Sequence, residues 1–272
     1  MSSDPVSSSR SLPERGYGRI RVSLHGSVYT ILLHNPERRN AIGPQMVNEL
    51  LWALADAHEA AAVRSIVLTG EGTAFCAGGD FAQMTSGGNG SELAPKGDYA
   101  DLLIAMTRTE KPIVARVNGP AMGGGLGLVA ASTFAIAHEA AVLGTPEINV
   151  GLFPMMIMAV LERLVPRRRL LEMMLFGKKL TATEALEAGL LNRVVPAAQL
   201  DESVDAMTTE IAEKSPITIA LGLRAFTAQD GKDLATALPL LRERLAECLA
   251  TDDAREGLMA FLEKRPPVWT GR

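Results

Sequence analysis

Glu147 stands in Gly144-Thr-Pro-Glu-Ile-Asn-Val-Gly-Leu-Phe-Pro154, a single carboxylate among mostly apolar residues. In such a setting desolvation disfavours the charged form and raises the pKa, which suits a base that takes a proton alpha to a carbonyl. The same residue also reads as an exposed glutamate at a helix start after Pro146. Two glycine-rich turns, Ala74-Phe-Cys-Ala-Gly-Gly79-Asp80 and Ala121-Met-Gly-Gly124-Gly125, each follow an apolar strand. Glycine lets a ligand approach the backbone with no Cβ in the way, and a helix start behind Gly124 presents unsatisfied N–H groups with a favourable dipole. Such an arrangement stabilises an enolate. Any one of these glycines alone reads better as a tight turn; their pairing after two successive strands favours a site.

Other chemistries find no support. Gly123-Gly-Gly-Leu-Gly127 does not fit a dinucleotide fingerprint, no Gly-Lys-Ser/Thr follows it, and no G-x-S-x-G elbow is present. His25, His34, His58 and His138 lack ligand spacing, as do Cys76 and Cys248, so no metal or disulfide framework is expected. A net charge of −4 provides no general field for nucleic acid or anionic lipid. Arg167-Arg-Arg169 reads as a solvated helix face, with a phosphate contact as the alternative.

These residues must be positioned by alternating elements. Arg19 to His25 and Val28 to His34 read as a hairpin around Gly26-Ser27, and Val47, Leu50, Leu51 and Leu54 continue as a helix after Gly43-Pro44. Ser65 to Thr69, Ile113 to Val117 and Thr133 to Ala137 read as strands, and Tyr99 to Thr109 as an amphipathic segment after a loop from Thr85 to Gly97. Beyond Pro154 the chain reads as almost wholly helical, with a capping box at Thr181-Ala-Thr-Glu184 and a stop at Gly189. The 272 residues, 47 % hydrophobic, support a substantial core. No apolar run reaches the roughly 18 residues of a membrane span, and the start has no signal-peptide h-region. Arg10 and Arg15 in a Ser-rich start hint at a transit peptide, against which Asp4 and Glu14 count; a disordered tail over residues 1–18 and a reducing cytoplasm are the expectation.

The run Lys111-Pro-Ile-Val-Ala-Arg-Val-Asn-Gly-Pro-Ala-Met-Gly-Gly-Gly-Leu-Gly127, together with Phe75-Cys-Ala-Gly-Gly-Asp80 and the Glu147 segment, resembles the enoyl-CoA hydratase/isomerase (crotonase) family from about Arg19 to Lys264. The resemblance implies an α/β fold, a spiral of ββα units over residues 19–195 followed by a helical subdomain over 196–272 that assembles trimers, often paired as hexamers. It implies an acyl-CoA thioester substrate whose oxygen is held by the N–H groups of Gly79 and Gly124, with Glu147 as catalytic carboxylate. Coenzyme A enters as part of that substrate, and no metal or redox cofactor is implied. By the same resemblance Arg38, Arg39, Ala41 and Ala77 meet coenzyme A, with Arg38 or Arg39 near phosphate and a solvated charged turn as the alternative, and Phe261 and Lys264 meet it from a neighbouring subunit. Met84, Gly127, Phe153 and Met156 are the candidate substrate-pocket residues. Phe153, Met155, Met156, Ile157 and Met158 all read equally well as acyl pocket or as core, methionines being adaptable to flexible chains.

One departure bears on reaction type. In the two-glutamate hydratases of that family the first catalytic glutamate falls where this chain has Gly127. One carboxylate is enough to move a proton between two carbons, whereas adding water is easier with two. The expectation is therefore an isomerase that moves a double bond from the 3 to the 2 position. The alternatives are a hydratase or lyase using Glu147 alone or with Asp80 or Glu110, and a catalytically weak CoA-binding protein.

Overall fold

The computed structural model describes residues 12–80, 83 and 91–272. Strands β1 (Ile20–His25) and β2 (Val28–Leu33) form the expected hairpin, and α1 (Pro44–Glu59) follows with Gly43 as N-cap and Pro44 in its first turn. Then come β3 (Ser65–Gly70), α2 (Tyr99–Thr107), β4 (Ile113–Val117), β5 (Ala121–Met122), α3 (Gly124–Ala131), β6 (Phe134–His138) and β7 (Val142–Gly144). Beyond a 3-10 turn at Pro146–Val150 lie α4 (Met155–Leu161), α5 (Arg167–Phe176), β8 (Lys179–Thr181), α6 (Ala182–Glu187) and β9 (Arg193–Val195). Helices α7 (Leu200–Ala212), α8 (Pro216–Gln229), α9 (Leu234–Leu249) and α10 (Asp252–Glu263) complete the chain. The capping box at α6 forms as expected, with Thr181 and Glu184 exchanging bonds, and Gly189 takes a φ of +84° beyond the helix end.

The six-stranded sheet has the order β1-β2-β3-β4-β6-β9 and is parallel from β2 onward. A second sheet, β5-β7-β8, was not expected from the sequence. Its strands are two or three residues long, too short to register as a period of two. Alternation along the central strands divides the core. Ile66, Leu68, Ile113 and Ala115 face the main core, while Val67, Val114 and Ile136 face Leu200, Val204 and Met207 of α7.

Two expected boundaries meet contacts that cross them. Helix α7, placed by the expectation in a helical subdomain beginning at 196, covers one face of the central sheet and is part of the core, and Ile219 of α8 packs against the same cluster. The tail expected through residue 18 is docked well before that point. Leu12 and Tyr17 pack on the core, the Arg15 guanidinium grips Asp56 at 2.6 and 2.7 Å, and Gly18 donates to buried Glu49. Residues 1–11 lie outside the described residues, as do Thr85 to Gly90 of the expected loop.

Two asparagine side chains tie together the turns that follow β2, β3 and β4: Asn118 joins β4 to β3, and Asn40 joins the turn after β2 to the one after β3. Asn118 donates to the carbonyls of Gly70 and Gly72 at 2.8 and 3.0 Å and accepts from Gly70 N–H at 3.1 Å. Asn40, fully buried with φ +57°, donates to Glu71 and Ala74 carbonyls at 2.9 and 2.8 Å and accepts from Asn35 N–H at 3.0 Å. Asparagine tolerates the left-handed region better than most residues, and no other side chain of its size both donates two bonds and accepts there. We expect Asn40→Ala to destabilise the protein by about 3 kcal/mol, since it leaves buried backbone groups unpaired and strains the turn. Urea unfolding measures this; a loss below about 0.5 kcal/mol, the range of an ordinary surface change, would remove Asn40 as the tie.

Candidate active site

Glu147 lies in the first turn of the 3-10 segment Pro146–Val150, which Gly151 closes with φ +76°. Its Oε1 lies 2.7 Å from the point a Cβ on Gly123 would occupy, so the carboxylate rests on backbone that must be glycine. Gly123 itself has φ +49° and donates to the Gly144 carbonyl at 2.9 Å, which joins the turn after β5 to β7. The Glu147 Oε2 atom is buried without a hydrogen-bond partner among the described residues. Desolvation raises the pKa of this carboxyl, opposed in part by a hydrogen bond from its own backbone N–H. The first reading of Glu147, a desolvated base, therefore fits its surroundings better than an exposed helix-start glutamate.

The two expected donors are placed by short backbone ladders. Ile42 pairs with Gly79 as in parallel strands: its N–H donates to the Gly78 carbonyl and its carbonyl accepts from Asp80 N–H, both at 2.8 Å. In that pattern the N–H and C=O of Gly79 point away from Ile42. A matching bridge joins Cys76 to Ala121, with Cys76 N–H on the Pro120 carbonyl at 3.1 Å and Met122 N–H on the Cys76 carbonyl at 2.9 Å. Gly124 is the first residue of α3, where an N–H has no intrahelical acceptor and feels the positive end of the dipole. Gly79, Gly124 and Glu147 line one cavity of about 800 Å³.

Most of the remaining wall is apolar, including Ile42, Val47, Phe153, Met155, Met156 and Ile157. Phe153 and Met156 are thus part of the cavity wall, and Met158 packs instead against the main core. Ala77 also lines the cavity and donates its N–H to the Arg39 carbonyl at 2.9 Å, which couples it to the turn carrying Arg38, Arg39 and Ala41. Arg38 reaches back to Asp80 at 2.9 Å. Met84 lies outside the described residues.

Three expected positions are corrected by the geometry. Gly127 does not line the cavity: a Cβ there would overlap the Tyr99 hydroxyl and the Ile157 side chain, so the phenol already occupies the space in front of it. Asp80 is held by Arg38 and Gln83 N–H, and Glu110 pairs with Arg224 at 3.0 Å beside a separate small cavity, so neither serves as a second carboxylate next to Glu147. Phe261 and Lys264, expected to act across a subunit boundary, lie on and just after α10 and outside the lining of this chain's own cavity. Sequence reasoning missed Tyr99, whose hydroxyl donates to the Gly124 carbonyl at 2.5 Å and whose pKa burial pushes well up. Its only local signal was its place at the head of an amphipathic helix.

A family model described as Enoyl-CoA hydratase/isomerase matches residues 23–272. The enoyl-CoA hydratase domain-containing protein 3 of rat, named as mitochondrial, is 35% identical over 245 residues, covering 89% of this chain and 81% of the relative. The crystal structure of human enoyl Coenzyme A hydratase domain-containing protein 3 superposes with a TM-score of 0.86 at 31% identity, covering 93% of this chain and 100% of that one. An enoyl-CoA hydratase structure from Mycobacterium smegmatis gives 0.85 at 32% identity, covering 93% and 99%.

The raised pKa of Glu147 has two consequences of opposite sign. A base must be ionised, so the acid limb of kcat/KM is expected above the ordinary glutamate value of about 4.3. Because the folded state holds this proton more tightly than the unfolded chain, stability from Glu147 is greatest in acid and falls as pH rises through the folded pKa. Glu147→Gln is therefore expected to lose activity by at least about a hundredfold while melting no lower than the parent at neutral pH. Rate profiles and melting curves across pH check both; a variant that keeps more than about a tenth of the parent rate removes Glu147 as the base.

Proposed function

The chain belongs to the enoyl-CoA hydratase/isomerase family, and we propose that within it the protein is an enoyl-CoA isomerase working through the single carboxylate of Glu147. The observation that carries this reading is the carboxylate inventory of the cavity. Among the described lining residues the carboxylates are Glu147 and Asp98, and Asp98 is spent on the start of α2, accepting from Ala100 and Asp101 N–H at 2.8 and 3.1 Å. Glu147 has a buried oxygen with no partner among the described residues and rests against Gly123, in the same cavity wall as Gly124.

With a 3-enoyl-CoA in the cavity, Glu147 takes a proton from C2. The electrons of that C–H bond pass into the conjugated enolate, whose oxygen accepts hydrogen bonds from Gly79 and Gly124 N–H. The carboxyl then returns its proton to C4, and the double bond is left between C2 and C3. No other group need gain or lose a proton. Ala77 and the adjoining turn of Arg38, Arg39 and Ala41 are the proposed coenzyme A contacts, and coenzyme A enters and leaves with the substrate. A cytoplasmic location is part of the proposal; among the described residues no helix is long and apolar enough to cross a membrane.

The second reading is hydration, favoured by the hydratase names of the relatives. It would form a C3–O bond from water and place a proton on C2. Incubation of 3-enoyl-CoA and 2-enoyl-CoA in heavy water separates the two. Isomerisation by one carboxylate is expected to carry part of the substrate's own C2 hydrogen to C4, so the 2-enoyl product contains less deuterium at C4 than full exchange gives. A main product from 2-enoyl-CoA that has gained water would overturn the isomerase assignment and favour the hydratase.

The proposal includes a homotrimer or homohexamer built through α8, α9 and α10. Phe226, Leu238, Leu245, Leu258 and Phe261 are more than half exposed on those helices in the single chain, a number of large apolar side chains that supports their burial in an assembly. Phe261 and Lys264 would then meet coenzyme A from the neighbouring subunit. Sedimentation is expected to give at least three times the chain mass, and Phe261→Asp to shift it downward. A monomeric parent would refute the assembly.

A further inference from the structure

Tyr99 heads α2 at the cavity wall, and its start is fixed by a reciprocal cap: Asp98 accepts from Ala100 and Asp101 N–H, and Asp101 accepts from Asp98 N–H at 2.9 Å. The helix packs on both α1 and α3, so the phenol is carried on a rigid element. Its hydroxyl meets α3 at two points. It donates to the Gly124 carbonyl at 2.5 Å, and together with the Ile157 side chain it occupies the space in which a Cβ at Gly127 would have to lie. Gly127 is one helical turn beyond Gly123, whose carbonyl accepts its N–H at 3.0 Å, so the two residues share a face of α3. That face carries Glu147 over Gly123 and the Tyr99 hydroxyl over Gly127, with the ring closing on Gly124 at 3.6 Å from its Cβ direction.

We propose that Tyr99 is a specificity-determining and positioning residue, filling the site from which a side chain at position 127 could act with Glu147 and thereby holding the reaction to proton transfer by one carboxylate. The inference rests on the isomerase reading above. The phenol is a neutral donor whose single proton is committed to the Gly124 carbonyl, so it has none to offer a substrate or a leaving hydroxyl. It presses on the residue whose N–H holds the enolate oxygen. Loss of the hydroxyl should therefore weaken the transition state more than substrate binding, whereas loss of the ring should open the wall to a second acid/base group.

Four variants test this: Tyr99→Phe, Tyr99→Ala, Gly127→Ala, and the pair Tyr99→Ala with Gly127→Glu. Tyr99→Phe is expected to lower the isomerisation kcat about tenfold with KM nearly unchanged. The folded pair Tyr99→Ala/Gly127→Glu is expected to raise the hydration-to-isomerisation ratio at least about tenfold over Tyr99→Ala alone, because two carboxylates then face the substrate. An unchanged ratio in that folded pair, or a Tyr99→Phe enzyme with parental kcat, overturns the assignment.

Should the pair not fold, a stability cycle decides without any assay of activity. Gly127→Ala is expected to lower the melting temperature by about 5 °C through overlap with the hydroxyl and with Ile157, and by clearly less in a Tyr99→Phe background, where only the Ile157 overlap remains. An equal loss in both backgrounds overturns the spatial claim. The cycle also separates this inference from the one beneath it. A Glu147→Gln enzyme that still isomerises would sink the single-carboxylate reading and leave the melting cycle intact.

Discussion

Glu147 can lie against the chain at Gly123 only because that residue has no side chain and turns with φ +49°. A carboxylate near water would be stabilised by solvation and would be a poor base toward a carbon acid; one set on bare backbone under an apolar roof is destabilised until it takes a proton. The rest of the site follows from keeping that contact. Gly123 is bonded to β7, β7 delivers the turn that bears Glu147, and α3 starts on the next residue. A carboxylate and a backbone donor are thus placed by the same peptide. Moving one moves the other.

The two proposed donors both belong to the backbone. Gly79 pairs with Ile42 in a one-residue bridge and the bridge of Cys76 to Ala121 leads to Gly124, while Asn118 ties the turn after β4 to the turn after β3 and Asn40 ties the latter to the turn after β2. The closeness of packing is visible at Gly125, where a Cβ would meet the Cys76 side chain and carbonyl at 2.6 Å. An electrostatic site of this kind needs no reorganisation when charge develops on the substrate oxygen. It also leaves little freedom for sequence change in the turns.

The legible part of the chain was the part governed by local rules. The hairpin at Gly26-Ser27, the start of α1 at Pro44 and the capping box at Thr181 depend on residues within one turn of each other, and all three stand as the sequence implied. The glycine turns and the Glu147 segment were legible because their residue types are themselves the chemistry. Contacts between distant segments were not. The sheet β5-β7-β8 is made of strands too short to show a period, and α7 reads like any amphipathic helix until Val67, Val114 and Ile136 are seen beneath it. Arg38 reads as a free cation near a phosphate until Asp80 is found beside it.

Gly127 is the sharpest case of that limit. In the sequence it reads as a loss, a position where a carboxylate is missing. In the structure the position is needed as glycine, because a phenol from 28 residues earlier in the chain fills the space and bonds one turn of α3 in doing so. Restoring the glutamate alone would force it against Tyr99 and Ile157 instead of into the cavity. The change at 127 and the tyrosine at 99 are therefore one physical unit. A side chain at 127 and the ring at 99, backed by Ile157, compete for one space, so neither position can be changed without regard to the other.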